Sequence, residues 1–321
     1  MKIAITDYSF PTLEIEEGIL SPAGHEIVAW KEKKTAGELP QLVADADAVI
    51  TQFAPVTAEV INSMTRAKVI VRYGIGVDNV DLGAAKERGI PVCNVPDYCI
   101  DEVADQTLAF LLAVTRQVVP NTLLIRTENW GLATGLEQMR ALRDLTVGVV
   151  GFGRIGREVV ARLKAFKARI LVFDPVVKSA DIESAGCKPV MLRELLSQSD
   201  VITLHCPSTS ETRGMINAQS LGITKPGVIL INVARGDLVD SDALTAALQS
   251  GHVSAAALDV FAPERIPAEH PIRKLNNVVL ASHIASCSVP AVRKLRETAA
   301  NLASAALRGD SLPNVVNGVK S

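Results

Sequence analysis

Short apolar runs alternate with stretches of helical periodicity along the chain, the pattern of parallel sheets connected by crossover helices. Over the first hundred positions KIAITDY, HEIVAWK, ADAVITQ, KVIVRYG and IPVCNV read as five strands, enough for one open sheet. CIDEVADQTLAFLLAVTRQVV then places Val103, Thr107, Leu108, Leu111 and Leu112 at helical spacing after a Pro96-Asp97 turn. This predicts one long helix bridging two domains. Beyond Leu145 come TVGVVGFG, RILVFDP, PVML, DVITLHCP, GVILINVARG, SAAALDVF and NVVLASHIA, seven further strands rich in β-branched residues. Strands so free of charge are buried on both faces, as in parallel sheets. The final VPAVRKLRETAANLASAALRGD is helical, with Pro290 near its first turn and Gly309 near its end. It is expected to fold back on the first domain. Its leucines and alanines fit either core or a dimer face.

A chain of 321 residues is long for one core, which agrees with two domains. Hydrophobic residues make up 48% and charged residues 21%, so the core material is ample and an ordinary soluble globular protein is expected. A net charge of −2 provides no general attraction to nucleic acid or anionic membrane, which leaves small molecules as the expected partners. Cys93, Cys99, Cys187, Cys206 and Cys287 are scattered, without a CxxC pair. That spacing points to reduced thiols and a cytoplasmic setting. No metal site is expected: His205 and Cys206 are adjacent but lack further ligands, and packing is the better reading of His205.

Gly151-Phe-Gly-Arg-Ile-Gly156 follows the strand TVGVV and opens the helix REVVARLKAF. Each glycine has a task there: Gly151 for the tight turn, Gly153 for close approach of a pyrophosphate, and Gly156 for helix–strand packing. Helix N-terminal amides would then face the phosphates. The next strand ends at Asp174, 18 positions past Gly156, where a carboxylate accepts hydrogen bonds from ribose hydroxyls and repels a 2′-phosphate. With Lys178 the only cation close by in sequence, the expected cofactor is NAD.

Three more strand ends carry chemistry. Arg235 follows VILINVA, Glu264 lies five residues past Asp259 in LDVFAPER, and His283 sits in VVLASHIAS. A guanidinium grips a carboxylate in bidentate fashion, and a histidine, with an ordinary pKa near neutrality, exchanges protons when a carboxylate fixes its ring. Taken singly, each has a duller reading: a satisfied core histidine, a loop charge, an interdomain ion pair. Together they suit reduction of an anionic carbonyl compound.

RYGIGVDNVD, NVPDYCIDEVADQTLA, VGFGRIG, NVARGDLVD, ALDVFAPE and SHIAS together resemble the D-isomer-specific 2-hydroxyacid dehydrogenases, over essentially the whole chain and in family order. Within that family ITDYSFPTLEIEEGIL, the RYGIG loop and VITLHCP look closest to the C-terminal-binding-protein branch and its bacterial relatives, although Ser282 and Ser286 replace that branch's proline and tryptophan. The resemblance implies a doubly wound α/β fold with two parallel-sheet domains. A flavodoxin-like substrate domain, 1–98, would be completed by 290–321, with an inserted Rossmann NAD-binding domain at 99–289. It also implies a homodimer that interconverts a 2-oxo acid and a D-2-hydroxy acid, without nucleic acid or membrane. By the same match Arg235 binds substrate, Glu264 partners the histidine and His283 is the acid/base. Dinucleotide contacts fall on Arg154, Ile155, Asp174, the Cys206-Pro207 turn, Thr212, Val233, Ala234 and Asp259, whose carboxylate would face the carboxamide. The amides of Gly74, Ile75 and Gly76 would help hold the substrate carboxylate.

Phosphoglycerate dehydrogenases are similar too, but their early-loop arginine is absent from TQFAPVT here, and with Ser321 the last residue no extra regulatory domain is expected. Arg72 offers either a second cation or a structural ion pair. His25, His252 and His270 are expected at the surface, and Cys99 as a buried inert thiol. A reading from another class, an NAD(H)-responsive scaffold that binds peptides rather than turning over substrate, keeps the cofactor site but has no need of the Arg235, Glu264 and His283 set.

Overall fold

The computed structural model describes residues 1–320 and divides into two compact units, Met1–Tyr98 with Ser288 onwards, and Cys99–Cys287. In the first, β1 (Lys2–Ile5), β2 (Glu26–Ala29), β3 (Ala48–Thr51), β4 (Ile70–Arg72) and β5 (Val92–Cys93) form a sheet of order β2-β1-β3-β4-β5. Every pairing is parallel. Apolar side chains alternate to both faces, so two cores form. On one side Ile3, Ile5, Ile50 and Val71 pack with Leu20 and the helix Val289–Arg308, and on the other Ala4, Val49 and Ile70 pack with Leu42, Val60 and Ile61.

The C-terminal helix thus belongs to the first unit. Ser288 caps it by accepting from the Ala291 amide, Pro290 lies in its first turn, and Gly309 closes it at φ +82°, a left-handed conformation suited to glycine. Its Leu295, Ala299, Leu302 and Ala303 are buried in the core, which accounts for their spacing.

The second unit holds seven parallel strands: β6 (Thr146–Val150), β7 (Arg169–Phe173), β8 (Lys188–Pro189), β9 (Val201–Leu204), β10 (Val228–Asn232), β11 (Val253–Leu258) and β12 (Val278–Leu280). Their order is β12-β11-β10-β9-β6-β7-β8. All twelve sequence-predicted strands are present, with one displacement. PVML contributes only Pro189 to β8, because the chain turns at Met191 into the helix Leu192–Gln198.

The long helix expected after Pro96 is two helices. Ile100–Thr115 stops where Gln117 takes φ +53°, and Val118–Arg126 begins there. Gln117 donates to the Val114 carbonyl at 2.6 Å, turning the chain by a local bond that hydrophobic periodicity does not register. Both helices lie within the second unit. Among the described residues no single helix is long and apolar enough to cross a membrane.

Candidate active site

At the carboxyl end of β6 the glycines divide the work as their spacing requires. Gly151 has φ +96°, and a Cβ there would lie 2.7 Å from the His205 carbonyl carbon; at Gly156 it would lie 2.1 Å from the Gly151 oxygen. These two let backbone approach backbone. A Cβ on Gly153 would meet nothing within 4 Å, so this side of the turn is open. Gly153 caps the helix Arg154–Ala165, with Arg154 exposed and Ile155 half-buried in its first turn. An open turn leading into helix amides fits a pyrophosphate.

Asp174 closes the cradle. Its carboxylate accepts from the amides of Phe152 at 2.7 Å, Val176 at 2.9 Å and Val177 at 3.0 Å. Burial alone would raise its pKa, but these three donors and the positive charge of Arg157 more than reverse that, and the net shift is downward. Arg157 is a cation that distance in sequence hides. It lies one helical turn into Arg154–Ala165, its guanidinium 4.4 Å from the Phe152 ring centroid.

After β9, Cys206 packs beside Met215, with their sulfurs 3.8 Å apart. The Thr212 hydroxyl donates to the Pro207 carbonyl at 2.7 Å, binding the 207–212 turn together. His205 meets the packing expectation: Nε2 pairs with the Thr203 hydroxyl at 2.8 Å, and burial lowers its pKa to about 3. The other three histidines are half-buried rather than at the surface. Both His25 ring nitrogens are shut off from solvent, His252 bonds Thr224 and the Leu221 carbonyl, and His270 accepts from the Ile272 amide.

Arg235 follows a turn shaped by a residue that sequence reasoning passed over. Asn232, fully buried at the end of β10, accepts from the Ala234 amide at 3.0 Å and donates to the Arg235 carbonyl at 2.7 Å. The polar residue ending the apolar run VILIN was the available signal. Val233 is buried, Ala234 and Arg235 are half-buried, and Arg235 Nη1 reaches the Ala234 carbonyl at 2.7 Å. Next, a Cβ on Gly236 would lie 2.0 Å from the Phe261 carbonyl carbon, so only glycine lets these loops touch. Asp237, also missed, ties neighbouring turns by accepting from Ser208 and Arg213.

His283 sits at φ +58°, a conformation few residues other than glycine adopt. Asp259 imposes it. The His283 amide donates to the Asp259 carbonyl at 2.7 Å, while the Asp259 side chain, fully buried, accepts from the Ile284 and Ala285 amides at 2.9 Å each. Each Asp259 oxygen therefore already carries a backbone bond, a loop-holding role that the carboxamide expectation did not include. So held, His283 presents Nδ1 to Glu264 Oε1 at 2.7 Å. A carboxylate only accepts, so Nδ1 carries the hydrogen and Nε2 is the opposite edge of the ring.

In the first unit, β4 ends in the loop Gly74–Gly76. Gly74 has φ +140°, and its amide is bonded to the Arg72 carbonyl at 2.9 Å. Arg72 is buried with its guanidinium 5.8 Å from the Phe53 ring centroid, and a Cβ on Gly74 would strike Nη1. In the stretch TQFAPVT, which holds no arginine, Gln52 is a buried neutral amide bonded to Ser9 through both ends. Cys99 is buried as expected.

A parallel sheet with an open glycine turn, an acid at the end of the next strand and an acid-held histidine suits a dinucleotide beside a proton-exchanging group. Comparison with known proteins agrees. A family model described as "D-isomer specific 2-hydroxyacid dehydrogenase, NAD binding domain" matches residues 108–285, more than half of the chain. The chain belongs to the D-isomer-specific 2-hydroxyacid dehydrogenase family. It is 37% identical over 308 residues to D-3-phosphoglycerate dehydrogenase of Mycobacterium leprae, covering 95% of this chain and 57% of that protein. The chain thus spans little more than half the length of that relative. It is 38% identical over 302 residues to glyoxylate reductase of Thermofilum pendens, covering 91% of this chain and 87% of the relative. Among solved structures, D-lactate dehydrogenase from Aquifex aeolicus complexed with NAD and lactic acid superposes with a TM-score of 0.86 at 31% identity, covering 97% of this chain and 96% of the other.

Proposed function

We propose that this protein interconverts an unphosphorylated 2-oxo acid and its D-2-hydroxy acid, with NAD as cofactor. The observation that carries the reading is the Glu264–His283 pair, locked at 2.7 Å by Asp259 on the same sheet edge as the glycine cradle. A peptide-binding scaffold has no need of such a pair.

Residues 151–156 and Asp174 would hold NAD, with the dinucleotide contacts completed by the Cys206-Pro207 turn, Thr212, Val233, Ala234 and Asp259. Asp174 favours NAD over NADP because a carboxylate at that strand end repels a 2′-phosphate. When bound, the nicotinamide supplies or takes up the hydride. Arg235 would grip the acid's carboxylate, and the first unit would serve as the substrate domain. His283 would give its Nε2 proton to the carbonyl oxygen on reduction and recover it on oxidation, while Glu264 balances the ring's positive charge. The absence of an arginine from TQFAPVT is what argues for a substrate without phosphate.

Removing either reacting group tests this. Arg235→Ala and His283→Ala are each expected to lower turnover by about 10²–10⁴-fold while NADH binding, read by fluorescence titration, stays near wild type. Turnover at the wild-type rate in either variant contradicts the assignment.

We also infer a homodimer. Val118, Leu123, Ile125, Leu132 and Leu136 are each at least half exposed or nearly so, and Trp130 is 94% exposed, all within one short stretch. Exposed apolar side chains concentrated in one segment of the chain favour a protein interface there. Sedimentation of wild type as a dimer and of Leu123→Glu as a monomer is expected; a monomeric wild type overturns the inference.

A further inference from the structure

Immediately before the Gly74–Gly76 loop, the Tyr73 side chain enters a buried ionic cluster. Its hydroxyl donates to Glu16 Oε1 at 2.9 Å. Glu16, fully buried, is gripped by Arg296 Nε at 2.9 and 3.2 Å and by Nη2 at 2.5 Å. Arg296 Nη2 also donates to the Thr12 carbonyl at 2.6 Å, and its guanidinium lies 4.7 Å from the Phe10 ring centroid. Phe10 in turn meets Tyr73 edge-on at 5.3 Å. Burial, reinforced by the charge on Glu16, pushes the Tyr73 hydroxyl well above the usual phenol range, so it remains a donor.

Stability alone does not account for such a cluster. Buried ion pairs give up so much hydration that apolar replacements are often equally stable, and what the ionic version adds is direction. That direction is delivered to one place. The Tyr73 amide is bonded to the Thr51 carbonyl at 2.8 Å, so Tyr73 is fixed through both main chain and side chain. From that anchor the loop is tied twice more: the Gly74 carbonyl accepts from the Val95 amide at 3.0 Å, and the Ile75 carbonyl accepts from Asn94 Nδ2 at 2.6 Å. In a trans peptide C=O and N–H point opposite ways. Tying the Gly74 and Ile75 carbonyls therefore aims the Ile75 and Gly76 N–H groups away from those ties.

We propose that Glu16, Tyr73 and Arg296 form a positioning network that holds the Ile75 and Gly76 amides in line to receive the carboxylate of the 2-oxo acid. This rests on the functional reading above, and it assigns no chemical step to the three residues. They act through the loop.

The test uses the full-length protein with Tyr73→Phe, which deletes one hydroxyl and retains the ring. The KM for whichever 2-oxo acid the wild type reduces is expected to rise about tenfold, with kcat and NADH affinity unchanged, as for loss of a bond to a charged group. Hydrogen exchange is expected to quicken in the peptide spanning 72–78 and to stay at the wild-type rate in β1 and β3. Glu16→Gln, which keeps an acceptor for Tyr73 but leaves the Arg296 charge unbalanced, should raise KM and quicken exchange at 72–78 at least as much. An unchanged KM overturns the proposal, as does exchange that quickens equally across β1, β3 and β4, the mark of a purely structural role. If the wild type reduces no 2-oxo acid, the functional reading fails, and exchange at 72–78 still decides whether the network holds the loop.

Discussion

The two sheets share parallel pairing and doubly buried strands, but they stabilise their strand-end loops by different wiring. In the second unit the ties are local: Asn232 reaches three residues to Arg235, and Asp259 reaches 25 and 26 residues to Ile284 and Ala285 on the adjacent strand's loop. In the first unit some reach much further. Asp7 accepts from amides 45 to 47 residues away at Gln52, Phe53 and Ala54, and Glu16 pairs with Arg296 across 280 residues. Local wiring shapes a loop wherever its strands exist. Chain-spanning wiring makes one loop depend on the docking of the C-terminal helix.

That contrast yields graded expectations. The largest effect belongs to Arg296→Met, which removes one partner from a fully buried pair and leaves Glu16 uncompensated, for a loss of about 3–5 kcal/mol in urea unfolding. Protection from hydrogen exchange should fall first in the first sheet. A loss below 1 kcal/mol would show the pair to be peripheral. Asp259→Ala comes next. The buried Ala285 amide loses its acceptor at about 1–3 kcal/mol, the half-buried Ile284 amide loses its own at less, and turnover should fall with them because His283 leaves φ +58°. Full turnover in that variant would show that the histidine loop holds its shape without Asp259.

The smallest effect is a pH slope. His205 is lowered by burial from 6.5 to about 3, so the unfolded chain binds its proton more readily than the folded one. Its contribution to stability is complete above pH 6.5 and is lost as pH falls toward 3. His25, lowered chiefly by burial as well, adds to the same slope. The urea midpoint should therefore drop between pH 6.5 and 4.5, and less steeply in His205→Asn; equal slopes would mean that His205 is not excluded from solvent.

The same contrast explains what could be read from residues alone. The glycine cradle was legible because each glycine answers a need within six positions, and Arg235, Glu264 and His283 because they end apolar runs. Asn232 left a trace as the polar terminus of VILIN. The Glu16–Tyr73–Arg296 cluster left none, since no spacing rule links residues so far apart. Gln117 broke the long helix through a single bond that periodicity cannot see, and Arg157 reached Asp174 only through the turn of its helix. The histidines were misread for a related reason: polar neighbours in sequence do not prevent burial by distant ones.

The most direct measurement is NADH consumption by the purified protein with glyoxylate, hydroxypyruvate, pyruvate and phosphohydroxypyruvate, run in parallel on His283→Ala. Saturable reduction of at least one unphosphorylated acid, with hydroxypyruvate preferred to its phosphorylated form and the variant nearly silent, is the expected result. Consumption that is absent with every acid, or equal in the variant, contradicts the account.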